Sequence, residues 1–258
     1  MLVKSVMKFF YIVLTMLSIQ ANAELNITLS GGEWPPYVSE KLKYNGVTPR
    51  LITDVFASVG VKVNYRFQVW ARSIEDAKKG RVHGTFLWFK TAEREKEFLF
   101  SNQPIGYITF VFFHLKNRQF DWNSFNDLHG LRIGATIGYN YGQEFMDAES
   151  NGSLQVVRVK SDLQNLKMLL KNRIDIFPHD LSVGYFEINK FFPKTMVQLF
   201  TNHNQPLKKQ GAYLLLSNKI EKNKEIMSLF NKGLSKFIDS GKYEKYYFDD
   251  LVNNVYAK

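Results

Sequence analysis

The chain has 258 residues, 45% of them hydrophobic and 15% aromatic, which suffices for one large or two smaller cores and excludes a disordered protein. It contains no cysteine, so no disulfide can staple it and no lipid can be attached through an N-terminal cysteine. The formal charge of +10 invites a nucleic-acid reading, but the lysines lie scattered in "KLK", "EKNKE" and "KYEKYY" rather than in one basic arm. What remains is solubility and a mild preference for anions.

In chain order, the first 23 residues read as a leader. "MLVKSVMK" carries two lysines and no acid, "FFYIVLTMLSI" is apolar, and "ANA" is a small-x-small cleavage site before Glu24. The apolar run is about half of the ~20 residues that a spanning helix needs. A soluble, cleaved product in the periplasm is the expectation, with no lipid anchor.

Beyond the leader, β-rich runs alternate with amphipathic windows, as in an α/β protein. "LNITLS" (25–30) reads as a strand. "GVTPRLITDVFASVG" reads as a helix with Leu51, Ile52, Val55, Phe56 and Val59 on one face, and "VKVNYRFQ" as a second strand. "WARSIEDAKKG" gives a helix closed by Gly80 and "VHGTFLWF" a third strand, together a small parallel sheet. A second unit begins near Asp121, with strands in "DLHGLRIGATIG", "QVVRVKS" and "IDIFPHD". Ser161 and Gln164 fit a capping box opening a helix that turns Leu163, Leu166, Leu169 and Leu170 inward. The long runs 107–117 and 208–219 can cross between two lobes and return the tail to the first. The tail itself reads as a helix broken at Gly241, with Met227, Phe230, Leu234 and Phe237 at helical spacing. The expected division is lobe one at 24–112 and 212–258, lobe two at 117–207, and hinge strands at 113–116 and 208–211.

One stretch has a chemistry of its own. In "GTFLWFKTAEREK" an apolar strand runs into charge, and Arg94 falls one turn into a helix, where the backbone dipole offers a cation nothing. An acidic partner beside it is the natural inference.

Five segments then carry a family likeness: "EWPPY", "TAEREK", "DLHGLRIGATIG", "RIDIFPHD" and "IDSGKYEKYY". In this order and spacing the chain resembles the amino-acid-binding family, family 3, of bacterial periplasmic solute-binding proteins that serve ABC transporters. The resemblance implies two Rossmann-like lobes joined by two crossing hinge strands, the type II periplasmic-binding-protein arrangement, closing on a ligand without a cofactor, a metal or catalysis. It places Arg94 on the ligand's α-carboxylate, Asp180 on its α-ammonium with His179 before it, and Trp34, Tyr37 and Trp70 as aromatic walls. A guanidinium fork suits a carboxylate because two parallel charge-assisted bonds fix distance and orientation. The expected partners are a small zwitterion or carboxylate and a membrane permease complex, with no nucleic acid, the protein itself being a monomer.

Each residue also has a plainer role available. Arg94 can pair with Glu93 or Glu97 on the surface, Asp180 can cap the helix "LSVGYFEINK", the aromatics can be packing, and His179 has no second His or Cys at metal-ligand spacing. The chain also departs from the family pattern. Phe86, Leu87, Trp88 and Phe89 stand where small residues and hydroxyls are usual, and Gly138-Tyr139-Asn140 replaces a Gly-Thr loop whose backbone amides can still bind a carboxylate. Two rival readings are an enzyme resembling the periplasmic cyclohexadienyl dehydratases, with Glu33 its candidate carboxyl, and a sensor that docks on a receptor.

Overall fold

The computed structural model describes residues 25–249, with side chains to Tyr247; the expected leader and cleavage site lie outside them. The first lobe follows the sequence periodicity. β1 (Leu25–Gly31) leads through α1 (Val47–Ala57) to β2 (Val61–Phe67), then through α2 (Trp70–Lys78) to β3 (Gly84–Phe89). β1 pairs in parallel with both other strands, in the order β2-β1-β3, because a helix carries the chain back to the same end of the sheet each time. Leu51, Ile52, Val55 and Phe56 of α1 are fully buried, while Val59 packs against the same core from a half-exposed position.

α3 (Ala92–Glu97) and the short β4 (Phe98–Phe100) precede β5 (Gly106–Leu115), the first of two long strands. The second lobe contains β6 (Arg132–Thr136), α4 (Gln143–Ser150), β7 (Gln155–Val159), α5 (Asp162–Leu170), β8 (Phe177–Asp180), α6 (Leu181–Phe191), α7 (Lys194–Val197) and β9 (Phe200–Asn202). β6 and β7 are parallel, and Ile176, just before β8, bridges in parallel to Ile133. Of the anticipated capping box at α5 the structure forms the Ser161 half, its hydroxyl accepting from the Gln164 amide at 3.3 Å. Leu166 and Leu169 are buried; Leu163 and Leu170 are half-exposed.

β10 (Lys208–Ser217) closes the architecture. Its first half pairs antiparallel with Gly106–Phe110 of β5, and its second half with β3 and β4, so the chain does return to the first lobe. From Phe110 onward β5 pairs on its other edge with β8, and its end pairs with β9. α8 (Asn223–Asp239) lies against α1 and buries Ile226, Met227, Phe230, Leu234 and Phe237. Each such side chain contributes about 1.5–3 kcal/mol of burial. Gly233 allows the approach, since a Cβ there would stand 2.9 Å from the Val55 carbonyl oxygen. The predicted break falls at Gly241, whose φ of 73° suits a residue without a Cβ. Among the described residues no helix is long and apolar enough to cross a membrane.

Candidate functional site

A fault in β3 shapes the candidate cleft. Opposite β10 the register jumps between Tyr213, paired with Trp88, and Leu214, paired with Phe86, so Leu87 is left over as a bulge residue with φ at 65°. A bulky side chain at positive φ is strained, and a bulge re-aims the residues that follow it. Trp88 and Phe89 are the ones re-aimed, and both are half-exposed at the strand end.

The Trp88 ring lies edge-on to Trp70 at 5.6 Å, and its indole N–H donates to the Thr85 hydroxyl at 2.9 Å. Trp70 in turn crosses Gly32 so closely that a Cβ there would lie 2.4 Å from the indole. Arg94 completes this corner. Thr91 caps α3 by accepting from the Arg94 amide, which turns the side chain back over β3. One Nη donates to the Phe89 carbonyl at 2.7 Å, and the guanidinium sits 4.8 Å from the Trp88 ring centre. Lys208 of β10 also reaches Phe89, its ammonium 5.5 Å from the ring centre. No described carboxylate lies within ion-pair distance of either cation. Burial lowers the pKa of both groups, partly offset at Arg94 by Glu93.

Asp180 is filled. It is 0% exposed, and its carboxylate accepts from the amides of Ser182 at 3.0 Å, Val183 at 2.9 Å and Thr109 at 3.1 Å. It accepts also from the Tyr37 hydroxyl, 3.0 and 3.1 Å from its two oxygens. The capping role allowed by its sequence position is therefore in place, and Tyr37, 2% exposed and 5.1 Å from the Trp34 ring, ties the first lobe to it. Burial raises the Asp180 carboxyl above its ordinary value, against the pull of these donors and of His179. Burial and the Asp180 charge together raise the Tyr37 hydroxyl well above its own, so Tyr37 is the donor.

The loop Gly138-Tyr139-Asn140 is committed within its own lobe. Gly138 takes φ 84°, the Asn140 side chain accepts from the Gly142 amide at 2.8 Å, and the Tyr139 hydroxyl donates to Asp162 at 3.1 Å. His179, 1% exposed, stacks on Phe177 at 5.0 Å. Glu33 is exposed and accepts from the Glu40 amide at 3.0 Å. The structure thus brings together Arg94, Phe89 and Trp70 at one corner and Trp34, Tyr37 and Asp180 at another. Trp88 and Lys208 join the first corner, though only the bulge and the pairing of β10 reveal it.

A hollow of about 860 Å³ is lined by Tyr37, Tyr107, Thr109, Ser182, Tyr185 and Tyr243, among others, and so adjoins the Tyr37–Asp180 corner. In the β5–β10 ladder Lys209 pairs with Thr109 and Lys208 with Phe110. Successive residues point to opposite faces, so this hollow and the Arg94–Lys208 corner flank the two crossing strands on opposite sides.

Solved structures share this architecture. The substrate-binding domain 2 of Lactococcus lactis GlnP, in its open conformation, superposes with a TM-score of 0.70 at 17% identity, over 87% of this chain and 94% of that one. The probable amino-acid ABC transporter extracellular-binding protein ytmK from Bacillus subtilis gives 0.72 at 19%, over 87% and 98%. A histidine kinase sensor domain with similarity to periplasmic binding proteins gives 0.61 at 16%, over 86% and 93%. No curated protein matches the sequence. The family model for bacterial extracellular solute-binding proteins, family 3, matches residues 27–248. With two lobes, two crossing strands and that match over nearly all of the described chain, the protein belongs to the family 3 bacterial extracellular solute-binding proteins.

Proposed function

We propose that the protein binds a small carboxylate, an amino acid or a similar acid, between its lobes in the periplasm and delivers it to an ABC permease. One observation carries the choice of ligand: Arg94 and Lys208 converge on Phe89 from two segments, half-buried and without a carboxylate partner among the described residues. Each cation is partly desolvated, and an anion bound at this corner offsets that cost. The planar walls of Trp88 and Trp70 suit a flat apolar body on that anion. The amino-acid ABC transporter proteins among the structural relatives support the same ligand class.

Whether the acid must also be an amine turns on Asp180. Its acceptor sites are taken by three amides and one hydroxyl, so an ammonium reaches it only by displacing Tyr37. Acids that lack an amine face no such competition. A thermal-shift screen with amino acids, 2-oxo acids, dicarboxylates and small peptides tests the reading. At a ligand concentration 100 times its dissociation constant, stabilisation is about 2.7 kcal/mol. A panel without any stabilising carboxylate overturns it.

A further inference from the structure

The second lobe holds a polar cluster that the solute cleft does not use. Asp162 opens α5, His179 precedes the end of β8, and Glu187 lies on α6; one ligand-type atom from each falls within 4.8 Å of the others. His179 is the decisive member. It is 1% exposed, and neither ring nitrogen has a hydrogen-bond partner. The nearest acceptor is Glu187 Oε2, 3.6 Å from Nε2 and itself buried without a partner. Leaving such groups unpaired costs free energy, and a protein normally avoids it.

The surroundings are built to hold the three groups rather than to separate them. Asp162 is fixed through both oxygens, one accepting from the Thr136 hydroxyl and the other from Tyr139. Outer hydroxyls of this kind orient a carboxylate ligand. The imidazole is clamped between Phe177 and α6. Gly184 lets that helix approach, since a Cβ there would be 2.4 Å from Phe113 and 3.2 Å from His179 Cδ2. The approach brings Glu187, on the same helix, to the imidazole.

We propose that Asp162, His179 and Glu187 form a binding site for a first-row divalent transition metal ion, zinc being the natural probe. One imidazole nitrogen and two carboxylate oxygens are a donor set for such ions, whereas calcium and magnesium prefer oxygen alone. Around a tetrahedral zinc with bonds of about 2.0–2.2 Å the ligand atoms stand ~3.4 Å apart, so closure of a cluster that lies within 4.8 Å asks shifts of about an ångström from its side chains. The remaining coordination positions fall to water on the Glu187 side, the half-exposed flank of the cluster. The site is independent of the carboxylate corner at Arg94.

The test is calorimetric titration of zinc chloride, then manganese chloride, into the purified, metal-stripped protein prepared without a histidine tag. The expected result is one saturable zinc site that raises the melting temperature and is weaker by about tenfold or more in Glu187→Gln, a substitution at the half-exposed member. His179→Gln should abolish it; if that buried variant does not fold, Asp162→Asn takes its place. Absence of saturable zinc binding in the wild type overturns the proposal. So does zinc binding that Glu187→Gln leaves unchanged, which would put the ion on other histidines such as His129 or His203.

Discussion

The bond between Tyr37 and Asp180 links residues 143 positions apart and offers a direct handle on how the lobes and the cleft are connected. Tyr37→Phe removes the hydroxyl and little else. The Asp180 carboxylate keeps its three amide donors, so no buried charge is stranded, and the loss is that of one hydrogen bond to a charged group, about 1.5–3 kcal/mol. For a protein of this size each kcal/mol lowers Tm by about 2–4 °C, so a fall of about 3–12 °C is expected in a thermal melt without ligand. The same variant should shift ligand preference. Freed acceptor sites on Asp180 can take an ammonium, so affinity for an amino acid should rise relative to the matching 2-oxo acid, measured by calorimetry on the same preparation. The ratio between two ligands cancels any change in overall stability. An unchanged Tm together with an unchanged ratio would refute the reasoning, because the hydroxyl would then be neither holding the lobes nor screening the carboxylate.

Arg94→Ala should weaken binding of a stabilising carboxylate by at least ~2 kcal/mol, about thirtyfold, and Arg94→Lys should not restore it, since an ammonium lacks the planar fork; calorimetry on the folded variants decides. Asp175 should show in the acid limb of stability. Burial alone would raise its carboxyl, but the bonds from Arg132 and the charge of Arg118 outweigh burial and lower it. A lowered folded value means that its contribution is complete above the unfolded value of about 3.9 and is lost as pH falls through the folded one. Asp175→Asn should therefore lower the urea midpoint at neutral pH and flatten its decline below about pH 4; an acid limb identical to the wild type's would contradict this. Gly32→Ala places a methyl 2.4 Å from the Trp70 indole, so it should cost about 1–3 kcal/mol by overpacking and disturb tryptophan fluorescence. Unaltered fluorescence and stability would show that the indole does not lie there.

Much of the fold was legible because its elements are written in local periodicity. The α1 face of Leu51, Ile52, Val55 and Phe56 and the α8 face of Met227, Phe230, Leu234 and Phe237 are spaced as a helix requires, and both faces are buried. The breaks at Gly80 and Gly241 were readable as well, since both residues adopt positive φ. Short pieces were not. β4 and β9 have three residues each and owe their pairing to β10 and β5, distant in sequence, so no alternation of their own could announce them.

The candidate site was legible only where a residue's role is set by its immediate neighbours. Arg94 does fall one turn into a helix, as its sequence position suggests, and Thr91 caps that turn. Lys208 gave no local signal: what brings it to the candidate corner is the register of β10, which sets it opposite Phe110 and beside Phe89. His179 was weighed against metal binding because no second His or Cys stood at ligand spacing. Its acidic neighbours, Asp162 and Glu187, lie on two separate helices and converge only when α6 closes over Gly184. Asp180 makes the same point in reverse. Its sequence position fits capping and ligand binding equally well, and what tips the balance is Tyr37, a residue of the other lobe whose hydroxyl fills the carboxylate. A ligand that needs Asp180 must therefore break a contact between lobes before it can help to close them, whereas one that needs only Arg94 and Lys208 leaves that contact whole.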